Sequence, residues 1–186
     1  MLCRVSSIFF SRSRSVAFTS TQDGHAQIYV MNLDGSGQRN LSRNSAAERD
    51  AAFSPNGEQL VFVSDRDGND ELYLMNSSGN AVTRLTRSPG VDWEPSFSPD
   101  GSKMLYVYDA GGNQEIYVLD LSRGETVNLT KNPAQDRDPA FAPDGSRIVF
   151  ASDREGVWRL FVMHPDGSGL RKLTNGQADW APSWSR

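Results

Sequence analysis

Carboxylates recur along this chain at matched positions. Glu48 is followed two residues later by Asp50, Asp92 by Glu94, and Asp136 by Asp138, while Asp179 is followed by Ala181, which breaks the series. Gathered on one rim, such acids would attract a basic peptide or a cation through their summed field. The competing reading is that each carboxylate caps the backbone of its own loop, as Asp commonly does in turns. Recurrence of the acid in every copy favours this structural role. Between the acids stand Arg49, Trp93, Arg137 and Trp180, alternating in type. Trp and Arg are the side chains most enriched in interface hot spots. A repeat scaffold keeps its structural positions alike and varies those that bind, so the alternation points to a partner-binding face. Packing of each indole on a neighbouring repeat weighs equally against it.

Other patterns carry less. Asp65, Asp67, Asn69 and Glu71 place oxygens at alternate positions, superficially suited to calcium, but the twelve-residue loop with its closing glutamate is missing. No metal site is expected. His25 and His164 fall at different points of the repeat, and His164 stands where other copies have Asn or Asp, so a turn role is expected for it. The Asp34-Gly-Ser-Gly37 and Asp166-Gly-Ser-Gly169 segments are hairpin turns. The sequence contains no Gly-x-Ser-x-Gly elbow, His-Glu-x-x-His motif, phosphate-binding loop or cysteine cluster. A non-enzyme without cofactor follows as the expectation; lyase or glycan chemistry on the acidic rim is a minor alternative.

The elements that position these residues come from a repeat. Ile28-Tyr29-Val30-Met31-Asn32 returns at 72–76, 116–120 and 160–164, 44 residues apart each time. Leu41-Ser42, Leu85-Thr86, Leu129-Thr130 and Leu173-Thr174 keep the same period, as do the segments Phe53–Gly57, Phe97–Gly101 and Phe141–Gly145. Within a copy, a strand ends at Phe97 and Ser98-Pro99-Asp100-Gly101 turns the chain, proline presetting φ and glycine accepting the positive φ that closes the turn. Lys103–Val107 is rich in β-formers, a glycine loop leads to a third strand at 115–119, and a weaker last strand ends near Leu129-Thr130. No window has a helical period. Four short strands in a repeat of about 44 residues are the signature of propeller blades. The fold expected is therefore all-β, a propeller of four four-stranded blades.

The run from Asp92 to Gly101, Asp-x-x-Pro-x-Phe-Ser-Pro-Asp-Gly, together with Ser64–Gly68, Leu72-Tyr73 and Asn76, resembles the repeat of TolB-type propellers, relatives of the WD repeats. The resemblance covers about residues 15–186. It implies a propeller, a protein or peptide partner and a periplasmic or cell-envelope setting. In such a fold the inter-blade loops share one face around a channel, so Glu48, Arg49, Asp50, Asp92, Trp93, Glu94, Asp136, Arg137, Asp138, Asp179 and Trp180 are expected to line its rim. Similar propellers also gate the catalytic domain of prolyl-oligopeptidase-type hydrolases, and a gating propeller or fragment of one is the alternative.

Blades are expected at 15–42 together with 179–185, 48–86, 92–130 and 136–174. The tail Asp179-Trp-Ala-Pro-Ser-Trp-Ser185 repeats an opening strand, with Trp184 in the place of Phe97 and Phe141. Its pairing beside 15–20 would close the ring and hide strand edges that invite aggregation. Ser6–Phe10, a decayed strand within the N-terminal segment 1–14, is the weaker competitor for that place. An incomplete ring would leave self-association open.

Bulk properties agree. The 186 residues suffice for one domain with a core, 37% are hydrophobic and 23% charged, and the net charge is −4, which argues against a nucleic-acid partner. Cys3 is the only cysteine and cannot form an internal disulfide. No apolar run is long enough to insert in a membrane, and the apolar stretch at the N-terminus, broken by Ser6 and Ser7, makes no clear signal peptide.

Overall fold

A computed structural model describes residues 15–185, all strand, turn and loop. The residue 1–14 readings, the decayed strand and the leader, lie outside the described residues. Fifteen strands run in chain order: β1 Ser15–Ser20, β2 Gln27–Asn32, β3 Arg39–Asn40, β4 Glu48–Phe53, β5 Gln59–Ser64, β6 Glu71–Asn76, β7 Thr83–Arg84, β8 Val91–Phe97, β9 Lys103–Asp109, β10 Gln114–Asp120, β11 Glu125–Asn128, β12 Asp136–Phe141, β13 Ile148–Ser152, β14 Arg159–Met163 and β15 Arg171–Lys172. They make one three-stranded sheet, β1-β2-β3, and three four-stranded sheets, β4 to β7, β8 to β11 and β12 to β15, each in sequence order. The all-β, repeated-sheet expectation holds. The last strand of each sheet is the weak one, two residues long in three sheets and four in the other.

The chain divides into two compact units, 1–95 and 96–186, and the division falls within β8. In the first unit β4 lies against β1 and β2. Ala17, Ile28, Val30, Leu41, Ala51, Leu60, Phe62, Tyr73 and Met75 form its core, with Phe53 packed against it. In the second unit β12 lies against β9 and β10, and the core holds Leu105, Ile116, Val118, Leu129, Phe141, Ile148, Phe150, Phe161 and Met163. The cores repeat because the sequence does: Phe62 and Phe150 hold one repeat position and are both fully buried. Each such side chain contributes about 1.5–3 kcal/mol by burial, and truncating either to alanine would cost about 3–5 kcal/mol once the cavity is included.

The turn chemistry is as expected. Gly57, Gly101 and Gly145 take φ of 72°, 73° and 73°, and their amides donate to the carbonyls of Ser54, Ser98 and Ala142 at 2.8, 2.9 and 2.8 Å. The tail behaves differently from an ordinary first strand. Residues 179–185 lie in no strand, and the first sheet has three strands among the described residues. Three hydrogen bonds hold the tail within the second unit. The Asp179 amide donates to the Trp158 carbonyl at 3.0 Å, the Ala181 amide to Asp138 Oδ2 at 3.1 Å, and the Trp184 indole to the Ala140 carbonyl at 3.2 Å.

Candidate functional site

The opening segment of each repeat is built in three steps, and each puts one candidate residue in a distinct environment. The first residue is an acid that points inward. Glu48, Asp92 and Asp136 are fully buried. A side chain four residues upstream caps each: Asn44 Nδ2 donates to Glu48, Ser88 Oγ to Asp92 Oδ2 at 3.0 Å, and Asn132 Nδ2 to Asp136 Oδ2 at 2.6 Å. Asp179 is partly exposed, and Gly176 passes so close that a Cβ there would meet the Asp179 carboxylate at 2.6 Å. The buried acids therefore organise their own loops and present no charge at the surface.

The third residue bends the strand. Asp50, Glu94, Asp138 and Ala181 have φ of 53°, 52°, 55° and 54°. For β4 and β12 this coincides with a register shift against the neighbouring strand, between Arg49 and Ala52 and between Arg137 and Ala140. A bulge of this kind adds a residue and re-aims the side chains around it. The tail adopts the same left-handed turn at Ala181 without belonging to a sheet.

The middle residue is left facing outward. Arg49 is partly exposed and forms an ion pair with Asp70. Arg137 lies over the Trp158 ring with 3.9 Å between its guanidinium carbon and the ring centre, and its Nε is 3.9 Å from Asp138 Oδ2. Trp93 is partly exposed with its indole nitrogen buried, while Trp180 is 55% exposed. In the second unit the carbonyl of Trp158, the ring of which lies under Arg137, accepts the amide of Asp179, the residue before Trp180. Cation–π contact of this sort is worth about 0.5–2 kcal/mol and keeps the guanidinium ordered.

Two sets of residues support this arrangement in roles that the sequence did not show. Arg66 pairs with Glu48, and Arg154 Nη2 with Asp136 Oδ1 at 3.0 Å. Each guanidinium also covers two rings, Phe62 and Tyr73 for Arg66, Phe150 and Phe161 for Arg154. Their 44-residue spacing pattern, Arg66, Ala110, Arg154, was the available signal. The second set is Gln27, Glu71 and Glu115, all buried at the start of the third strand of their repeats. Each accepts the amide of the loop residue that caps the acid: Asn44 N to Gln27 Oε1 at 3.1 Å, Ser88 N to Glu71 Oε1 at 2.9 Å, and Asn132 N to Glu115 Oε1 at 2.9 Å.

The oxygen-rich segment 65–71 spends its groups separately. Asp65 accepts the Ala47 amide at 2.9 Å, Asp67 holds the Tyr73 hydroxyl at 2.5 Å and Arg84 at 3.1 Å, and Asn69 donates to the carbonyls of Ser88 and Gly90. Among the described residues no three His, Cys, Asp or Glu side chains group to hold a metal. His25 contacts the Asn44 carbonyl at 2.6 Å, and His164 contacts Arg147 at 2.9 Å.

Comparison with known proteins accords with this architecture. The family model described as the TolB beta propeller domain matches residues 5–91 and 87–186. The Tol-Pal system protein TolB of Geobacter sulfurreducens is 40% identical over 45 residues, 24% of this chain and 10% of that protein. A solved structure described as TolB from Agrobacterium tumefaciens superposes with a TM-score of 0.82 at 24% identity, covering 94% of this chain and 63% of that one. The structure of a puromycin-hydrolysing peptidase from Mycobacterium tuberculosis shares the fold at 16% identity with a TM-score of 0.70, over 91% of this chain and 30% of that one. The chain thus spans less than two thirds of each of these relatives. With both family matches together running nearly end to end, the chain belongs to the TolB beta propeller domain family.

Proposed function

We propose that this chain is a non-catalytic binding scaffold that recognises a protein or peptide through the outward middle positions of its opening strands. The observation that carries the reading is the division of labour within each segment. The acids at 48, 92 and 136 are buried and committed to loop structure, while the residue after each, Arg49, Trp93, Arg137 and Trp180, reaches the surface and changes type from repeat to repeat. Rigid elements carrying variable exposed residues suit recognition. Asp50 and Glu94 flank those positions, partly exposed, while the Asp138 carboxylate is buried beside Arg137 and accepts the Ala181 amide.

Likeness to TolB supports a partner among the proteins of a Tol-Pal system and a periplasmic or envelope setting. The test is calorimetric titration of single Tol-Pal components into the full chain and into a Trp93→Ala, Trp180→Ala variant. Binding lost in the variant at unchanged melting temperature supports the reading; equal binding by both chains refutes it. The peptidase likeness supports a second reading, a propeller that screens entry to a hydrolase. Its discriminating observation is an α/β-hydrolase domain in the same polypeptide.

A further inference from the structure

Glu71 and Asp92 are both fully buried in the first unit, and Ser88 joins them, its amide donating to Glu71 Oε1 at 2.9 Å and its hydroxyl to Asp92 Oδ2 at 3.0 Å. Two ionised carboxylates brought this close in the core would repel one another, which favours keeping one of them protonated. Glu71 Oε2 and Asp92 Oδ1 are buried without a hydrogen-bond partner, whereas their second oxygens are engaged. Glu71 Oε1 accepts from Arg84 Nη2 at 2.9 Å, from the Ser88 amide at 2.9 Å and from Asn69 Nδ2 at 3.1 Å, and Asp92 Oδ2 accepts from Ser88 Oγ at 3.0 Å. The sister acids have a cation in place of this proton: Arg66 for Glu48 and Arg154 for Asp136, in each case eighteen residues downstream. The residue eighteen after Asp92 is Ala110.

We propose that Glu71 and Asp92 share one proton, which acts as a pH-sensitive latch on the loop 87–91. Those residues hang on the pair: Ser88 bridges both carboxyls, and Asn69, held by Glu71, binds the carbonyls of Ser88 and Gly90. The other charged groups around the pair in this unit are Arg84, bound to Glu71, and Asp67, which shares that arginine and holds the Tyr73 hydroxyl. One guanidinium therefore serves two acids, and a second negative charge in the pair would be uncompensated. Burial is the main force on Asp92 and, with Glu71 beside it, pushes its carboxyl up to about 7. Burial also opposes ionisation of Glu71, but donors from Thr86, Arg84 and Ser88 outweigh it and hold that carboxyl below its usual range.

The sign follows. With its folded value raised, Asp92 contributes stability that is complete below its ordinary value near 3.8 and is lost as pH rises through about 7. Between those values the loop should open more readily as pH rises, by up to about tenfold per pH unit, and the effect should level off above about 7.

Two measurements on the full chain decide the matter. Carbon-detected NMR of the Asp92 carboxyl should show it protonated at pH 5.5 and ionising near neutrality; an ionised signal already at pH 5.5 overturns the proposal. Hydrogen exchange of the loop amides, corrected for the intrinsic pH effect, should accelerate in the wild type as pH rises from about 4 toward about 7 and level off above that. It should be flat in Asp92→Asn, whose amide makes the shared bond permanently. Glu71→Gln, which restores the residue type of Gln27, provides a second variant with the same expectation. A flat wild-type profile, or variants that keep the wild-type slope, would equally overturn it.

Discussion

Arg154 reaches back eighteen residues to set its Nη2 3.0 Å from Oδ1 of the fully buried Asp136. The same guanidinium donates from Nε to Ser152 Oγ at 2.8 Å and covers the Phe150 and Phe161 rings. One side chain thus joins the acid that organises a loop to the aromatic pair of the core, and Arg66 does the same for Glu48, Phe62 and Tyr73.

Removing the guanidinium should therefore cost far more than loss of a surface ion pair. Arg154→Met strands a buried carboxylate, and a loss of about 3–5 kcal/mol is expected. Urea denaturation measures it. A loss below about 1 kcal/mol would mean that Arg154 behaves as an ordinary surface pair.

The outer turns make a second prediction. Gly79 has φ of 85°, and a Cβ there would sit 2.7 Å from the Leu41 carbonyl oxygen; Gly167 has φ of 84° and would meet the Leu129 carbonyl oxygen at 2.8 Å. Gly79→Ala or Gly167→Ala combines left-handed strain of about 1–2 kcal/mol with a clash against backbone. Each should lower the melting temperature, whereas Gly111→Ala, with open space around its Cβ, carries the conformational strain alone.

Tyr73 supplies a test at alkaline pH. Burial, reinforced by the hydrogen bond to the Asp67 carboxylate, pushes its phenol up to about 12. The folded value lies above the ordinary 10, so this contribution to stability is present below pH 10 and disappears as pH rises toward 12. Difference absorbance should show late-ionising tyrosine, to which Tyr29 also contributes through burial and its bond to Asp23, and Tyr73→Phe should remove the Tyr73 share of it.

For the binding surface, Arg137→Ala removes the cation held over Trp158. If this cluster is a hot spot, affinity for the partner should fall by about thirtyfold, about 2 kcal/mol. Calorimetry alongside melting curves separates lost contact from lost fold. Unchanged affinity would take Arg137 out of the binding surface.

The sequence by itself determined the repeat, the four-strand order within it, the tight turns at Gly57, Gly101 and Gly145, and the two-residue spacing of the acids. These are legible because they depend on local conformation and on a period that copies every contact 44 residues on. The environment of each acid was decided by the tertiary structure. Glu48 and Asp50 look interchangeable as a pair of surface charges, yet one is buried against Arg66 and the other sits at a left-handed bulge with φ of 53°. Which carboxylate turns inward depends on the register shift between β4 and β5 and on donors from Asn44, Ser64 and Arg66 brought in from three separate positions. The same holds for Asp92. Its lack of an arginine eighteen residues on is written in the sequence, but only packing reveals that Glu71, far from it along the chain, is the group it meets, because desolvation and hydrogen-bond partners are properties of the assembled sheets.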